Sequence, residues 1–193
     1  RCEDAGTQLF VNYMRKSDPG AIEIKRRLHE EWLVEPIKAC VWYSKGLFNN
    51  GSHLTNLLED WMGDFLEAKI ISVGRKIGNY DYEPDFYINY SGGRALFSAC
   101  KEEDFSHYTI ELICSSGRLY YSHGGELITW QSIRADKILQ GYNVLARSPE
   151  IIKNSLHKSQ LNVVKEISNF IKKTSFNLCD GKEALLTLEN IIE

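Results

Sequence analysis

Apolar and polar positions change period twice along the chain, from helical to alternating and back to helical. At the start, Glu3-Asp4-Ala5-Gly6 reads as the last turn of a helix with Gly6 as its stop, and Leu9 to Tyr13 as a short buried strand. Asp18-Pro19 is a helix start, an N-cap residue followed by proline at the first helical position. That helix carries Ala21, Ile24 and Leu28 on one face and Arg26 and Arg27 on the other, and is predicted to end near Glu31. Ile37 to Tyr43 is the next strand. After the stretch Lys45 to Gly51 comes a second helix, in which Leu54, Leu57, Leu58, Trp61 and Met62 form an apolar stripe at helical spacing and Gly63 closes the run.

From about Glu67 the period becomes two. Tyr108, Ile110, Leu112 and Cys114 alternate with Thr109, Glu111 and Ile113, the pattern of a half-buried antiparallel strand. Ser91-Gly92-Gly93, Ser115-Ser116-Gly117 and His123-Gly124-Gly125 punctuate the region at hairpin spacing. The spacing predicts a meander of about five strands between Ile70 and Ile133. The helical period returns over Ser155–Thr174, with Leu161, Val164, Ile167, Phe170 and Ile171 recurring together. Asp180 and Glu183 resemble a capping box that opens a last helix carrying Leu185, Leu188, Ile191 and Ile192. The whole is an α+β class, a largely antiparallel open sheet with helices packed on one face. No internal repeat and no low-complexity segment interrupts it.

Composition narrows this picture. The chain has 193 residues with 43% hydrophobic content, enough for one sizeable core. Lys plus Arg (23) nearly balances Asp plus Glu (26), a net charge of −3, and no block of like charge occurs. The electrostatic footprint of a nucleic-acid binder is therefore missing. No apolar run approaches the roughly 18 residues of a membrane span, and the first residues do not read as a signal peptide. Five cysteines, odd in number and widely spaced, suit reduced thiols, three of them in apolar or strand-like surroundings. The expected compartment is the cytoplasm. The glycosylation-like triplets Asn50-Gly51-Ser52 and Asn89-Tyr90-Ser91 are accordingly read as chance.

The chemistry-bearing positions are few. No G-x-G-x-x-G, P-loop, C-x-x-C, H-E-x-x-H or G-x-S-x-G pattern is present, so the chain is expected to bind neither cofactor nor metal by itself. His53 stands just after the candidate caps Asn50 and Ser52, in the first turn of its predicted helix. There the helix N-terminus disfavours a positive charge, and a neutral imidazole can act as a general base toward an alcohol. Asn49, four residues earlier, can approach the same space. Capping of the helix and of loop backbone is the other account of both residues. Arg15-Lys16 and Lys45 are candidates to hold a phosphate or carboxylate, or else belong to a solvated face. His29, His107 and His157 read as surface residues, with His123 in a glycine turn. Tyr87, Tyr90, Tyr120, Tyr121 and Trp130 are either sheet core, subunit interface or a sugar-stacking surface.

Three stretches together carry a resemblance. Val11-Asn12-Tyr13-Met14-Arg15-Lys16-Ser17-Asp18-Pro19, then Tyr43 through Leu58 closing at Gly63, then Ser115-Ser116-Gly117-Arg118-Leu119 with Asp180-Gly181-Lys182-Glu183-Ala184-Leu185 follow one another in order. They resemble the C-terminal substrate domain of the glucose–fructose oxidoreductase/inositol dehydrogenase (Gfo/Idh/MocA) family, across essentially the whole chain. That family couples an N-terminal Rossmann domain to such a domain and passes hydride between a nicotinamide and a sugar or polyol carbon. The resemblance implies that His53 is the acid/base, with Asn49, Lys45, Arg15 and Asn56 around the substrate. Two positions depart from the pattern. Asn49 stands where an acidic residue is usual, four before the histidine, and Asn56 where many members have Asp, three after it. An amide still hydrogen-bonds a hydroxyl but supplies no charge to raise the imidazole pKa.

The resemblance further implies a division at residue 14. Residues 1–14 are then the remnant of the end of a Rossmann domain, and 15–193 the substrate-binding and oligomerisation domain. On the order of 100 residues, holding the NAD or NADP site, are expected upstream. Expected partners are a sugar or nucleotide-sugar substrate and a second or further copy, in a homodimer or homotetramer joined through the sheet face. A non-catalytic binding or oligomerisation module of the same fold is the alternative, with Asn49 and Asn56 marking lost chemistry. A metal-dependent isomerase or hydrolase centred on His53 lacks ligands at workable spacing.

Overall fold

The structure is a computed structural model that describes residues 2, 4–29 and 36–192. The helix end expected at Glu31, and Glu3 of the opening turn, lie outside those residues. In chain order the elements are β1 (Phe10–Val11), α1 (Pro19–His29), β2 (Ile37–Tyr43), α2 (Ser52–Met62), β3 (Phe65–Ile77), β4 (Asp81–Tyr90), β5 (Gly93–Ala99), β6 (Tyr108–Cys114), β7 (Gly117–Ser122), β8 (Leu127–Ala135), β9 (Asn143–Leu145), β10 (Glu150–Ile151), α3 (Ser159–Ile171), β11 (Cys179–Asp180) and α4 (Gly181–Ile192). The expected class is the one found: an open, mostly antiparallel sheet with helices packed on it.

The expected single meander is instead split in two. The large sheet runs β10-β8-β7-β6-β2-β5-β4-β3, with β9 paired to β8, so β2 lies between β5 and β6. It is antiparallel to β6 and parallel to β5, with Ile37 beside Gly93 and Tyr43 beside Ala99. Gly93 has φ +155°, and a Cβ there would stand 2.0 Å from the Ile37 carbonyl oxygen. Only glycine lets β5 leave its turn this close to the start of β2. Hairpin spacing reports neighbours in sequence, and a strand from before the meander leaves no trace in it.

Alternation along β2 puts Ile37, Ala39, Val41 and Tyr43 on the buried face and Lys38, Cys40 and Trp42 on the open one. The buried face meets Ala21, Ile24 and Leu28 of α1 and Leu54, Leu57, Leu58, Trp61 and Met62 of α2 in one core. Both predicted stripes therefore face the sheet. Trp61 is fully buried and donates its indole N–H to the Ala21 carbonyl at 3.1 Å, so its one polar group is satisfied inside the core. The aromatics divide by the same alternation. Tyr90, Tyr121 and Trp130 are buried on the helix face, whereas Tyr120 is exposed on the open one, and Arg94 lies 4.6 Å over the half-buried Tyr87 ring. Cys114 and Cys179 are buried, but Cys40 is exposed.

The last two helices form with part of their apolar stripes turned outward, while Ile167, Phe170, Leu188 and Ile191 stay half-buried, Phe170 edge-on to Phe10 and Phe176. In α3, Leu161, Val164 and Ile171 are exposed while Asn162 is buried against Ser155. In α4, Leu185 and Leu186 are exposed while Ala184, Thr187 and Asn190 are buried. The reason is the surface α4 meets. Asn56 and Glu59 on α2 pair with Thr187 and Asn190, and Lys16 reaches both Asp60 and Glu183. A polar stripe on α2 selects a polar stripe on α4. Asp180 is the expected cap, accepting from the Lys182 and Glu183 N–H groups at 2.9 Å, while the Glu183 carboxylate turns to Lys16. Among the described residues no helix is long and apolar enough to cross a membrane.

Candidate active site

The connection from β2 to α2 is itself helical. Leu47–Gly51 form one π-helical turn that runs into α2 at Ser52. The expected caps therefore cap nothing: Ser52 Oγ donates back to the carbonyls of Phe48 (2.8 Å) and Asn49 (2.9 Å). The free N–H groups at the start of the turn are met by carboxylates of β4. Leu47 and Phe48 donate to Asp81 Oδ1 at 2.9 and 3.1 Å, and Gly46 donates to Glu83 Oε1 at 3.2 Å. With a turn in front of it, His53 is not at the exposed helix end, which corrects the expectation that the helix terminus tunes it.

Burial tunes it instead. His53 is half-buried, its Nδ1 is enclosed with no hydrogen-bond partner among the described residues, and its ring meets Tyr13 edge to face at 4.8 Å. Desolvation, then the positive charge of Arg15, lower its pKa from 6.5 to about 4. At neutral pH the imidazole is uncharged, the protonation state a base requires. Arg15 is anchored beside it: Nε donates to the Gly124 carbonyl at 3.1 Å and the guanidinium lies 3.9 Å over the Tyr108 ring. Tyr121 donates to the same Gly124 carbonyl at 2.9 Å, and Tyr108 Oη is buried with no partner among the described residues. A low-polarity, aromatic wall thus surrounds one neutral base and one fixed cation. Such an arrangement can accept a proton from an alcohol and orient a polar or anionic substituent.

The other sequence candidates are distributed unevenly. Asn49 is exposed in the π turn, on the loop that leads to His53. Lys45, with φ +68°, pairs with Glu102 at 2.9 Å. Asn56 is fully buried, its amide donating to Thr187 Oγ1 at 3.1 Å, so its side chain serves the α2–α4 contact. Tyr13, Tyr108 and Gly124 complete the surroundings of His53 and Arg15. Sequence reasoning placed all three, as strand or turn residues, without a site role.

The solved neighbours of this fold are oxidoreductases and dehydrogenases. An oxidoreductase from Agrobacterium radiobacter in complex with NAD+, L-tartaric acid and magnesium has a TM-score of 0.60 at 14% identity, over 99% of this chain and 63% of that one. UDP-N-acetylglucosamine 3-dehydrogenase GnnA from Acidithiobacillus ferrooxidans has a TM-score of 0.70 at 10% identity, over 99% and 61%. The WlbA dehydrogenase from Bordetella pertussis, in complex with NADH and UDP-GlcNAcA, has a TM-score of 0.62 at 12% identity, over 97% and 60%. These are oxidoreductases of the Gfo/Idh/MocA type, and at such identities the likeness is one of fold. The chain spans less than two thirds of the length of each. No family model and no curated protein matches it in sequence.

The sequence has no glycine fingerprint, and the starts of α1, of the turn before α2 and of α4 already have carboxylate partners. Asp18 accepts from Gly20 N–H, Asp81 and Glu83 from the turn before α2, and Asp180 from the first turn of α4.

Proposed function

We propose that this chain is the substrate-binding and assembly half of a Gfo/Idh/MocA-type oxidoreductase acting on a sugar, polyol or nucleotide sugar. In this reading the NAD or NADP site belongs to sequence outside these 193 residues, and residues 1–14 are the end of that nucleotide domain. His53 is the acid/base for the substrate hydroxyl, and Arg15 and Asn49 position the substrate beside it. Asn56 and Lys45 support the scaffold, through Thr187 and Glu102 respectively. Copies join through the open sheet face, and the compartment is the cytoplasm.

One observation carries the reading: a neutral, desolvated His53 stands beside the fixed Arg15, on a fold whose solved neighbours are oxidoreductases. The non-catalytic alternative gives no reason for an enclosed imidazole whose Nδ1 has no partner, an arrangement that costs stability. The test is His53→Ala in the full-length enzyme. Turnover should fall by about 10²–10⁴-fold, the contribution of general acid–base catalysis, with the melting temperature nearly unchanged. A variant that melts lower but turns over normally would reduce His53 to a packing residue.

A further inference from the structure

The loop that carries Asn49 and delivers His53 has a backbone that is unfavourable by itself. Lys45 is a non-glycine residue with φ +68°, Gly46 has φ +88°, and the turn that follows is π rather than α. Left-handed non-glycine backbone and π turns persist where surrounding contacts over-determine them. Here those contacts are ionic and come from three separate strands and loops.

We propose that Asp81 and Glu83, backed by Arg75, Glu102 and Glu103, form a positioning clamp that sets the register of the active-site loop and thereby the enclosure of His53. From one side, Asp81 Oδ1 receives the Leu47 and Phe48 N–H groups at 2.9 and 3.1 Å. A Cβ on Gly46 would stand 2.0 Å from Asp81 Oδ2, so the carboxylate is seated directly against the loop backbone. Glu83, 3% exposed, receives Gly46 N–H with one oxygen and the Arg75 Nε with the other. Arg75 is itself held by Glu103 at 2.8 and 3.0 Å. Next to it in sequence, Glu102 pairs with Lys45 at 2.9 Å and accepts from Ser44 Oγ.

The clamp is continuous with the site through backbone. The N–H groups it fixes belong to the π turn. That turn closes with Gly51 N–H on the Gly46 carbonyl at 3.1 Å and with Ser52 Oγ on the Phe48 and Asn49 carbonyls. His53 follows at once. Loss of the Asp81 contacts therefore frees the turn, and a freed turn admits water to an imidazole now enclosed against Tyr13. Lys45 thereby acquires a role different from the anion-holding one its sequence position suggests.

The proposal deepens the reading of His53 as acid/base, but its test does not depend on catalysis. In the 193-residue chain, Asp81→Ala should raise the hydrogen-exchange rates of the Leu47 and Phe48 amides by at least about tenfold. The same variant should move the NMR titration of the His53 ring upward, from about 4 toward the ordinary 6.5. Asp81→Asn keeps an acceptor oxygen in place and should restore most of both. The proposal is overturned if Asp81→Ala lowers only the melting temperature, with amide protection and His53 titration as in the parent. It is equally overturned if Asp81→Asn behaves as Asp81→Ala. If the clamp passes while His53→Ala leaves turnover intact, the acid/base reading fails and the clamp stands.

Discussion

The Tyr13 ring meets the His53 imidazole edge-on, with centroids 4.8 Å apart and planes at 87°. The contact joins the segment entering α1 to the first residues of α2, and it holds the imidazole out of water. A histidine kept neutral in this way affects stability with a definite sign. Unfolded, it takes a proton as pH falls through 6.5; folded, it resists until about 4. The unfolded state thus binds more protons across that interval, and stability falls as pH drops from about 6.5 to about 4. The loss attributable to His53 is at most on the order of 3 kcal/mol, since some solvent still screens the ring. Urea unfolding at pH 7, 5.5 and 4.5 should show this slope in the parent and a weaker one in His53→Gln. Equal slopes would mean that the ring is hydrated in solution.

Lys16 joins α4 to the rest of the fold. Its side chain is 7% exposed, 3.2 Å from Asp60 and in contact with Glu183. Lys16→Met keeps the apolar stem but leaves the partly exposed Glu183 carboxylate only the Asn56 amide at 3.4 Å, and leaves Asp60 with Lys25 at 2.7 Å. Because Glu183 keeps solvent and the Asn56 amide, removing Lys16 costs less than a fully buried pair would, about 1–3 kcal/mol, read as a drop in unfolding free energy. Adding Glu183→Met should recover part of that loss, because the two changes remove one interaction. Additive losses would show the pair to be energetically independent.

The open sheet face presents Trp42, Leu96, Ile113 and Tyr120, between 39% and 54% exposed, in adjacent strands. Apolar side chains spread over four neighbouring strands of one face are costly to leave wet, and a second copy of the same face can cover them. Light scattering should report a dimer or larger species, and Trp42→Lys with Ile113→Lys should shift the mass toward the monomer without loss of fold. A parent that is monomeric at high concentration removes the assembly role.

Titration of the chain with NADH should give no saturable binding in the micromolar range, because the sequence lacks a glycine fingerprint and carboxylates already meet the starts of α1, the turn before α2 and α4. Saturable quenching of NADH fluorescence would place a nucleotide site within these residues.

Local patterns were legible in the sequence wherever one face of an element meets apolar core. The stripes of α1 and α2, the Asp18-Pro19 start, the alternation of β6 and the Asp180 cap needed only spacing and residue type, because burial of a face and satisfaction of nearby N–H groups act within a few residues. The fold class follows from their order. Three things required the tertiary structure. The place of β2 between β5 and β6 is a long-range pairing, fixed by a glycine 56 positions from Ile37. The inward face of α4 is polar because Asn56, Glu59 and Lys16 await it, and helical spacing alone does not say which stripe finds a partner. The state of His53 is set by burial against Tyr13 and by the charge of Arg15, some 40 residues earlier. Local sequence placed the imidazole on its helix; only the packing of distant segments around it removed the water that would otherwise keep its pKa near the ordinary value.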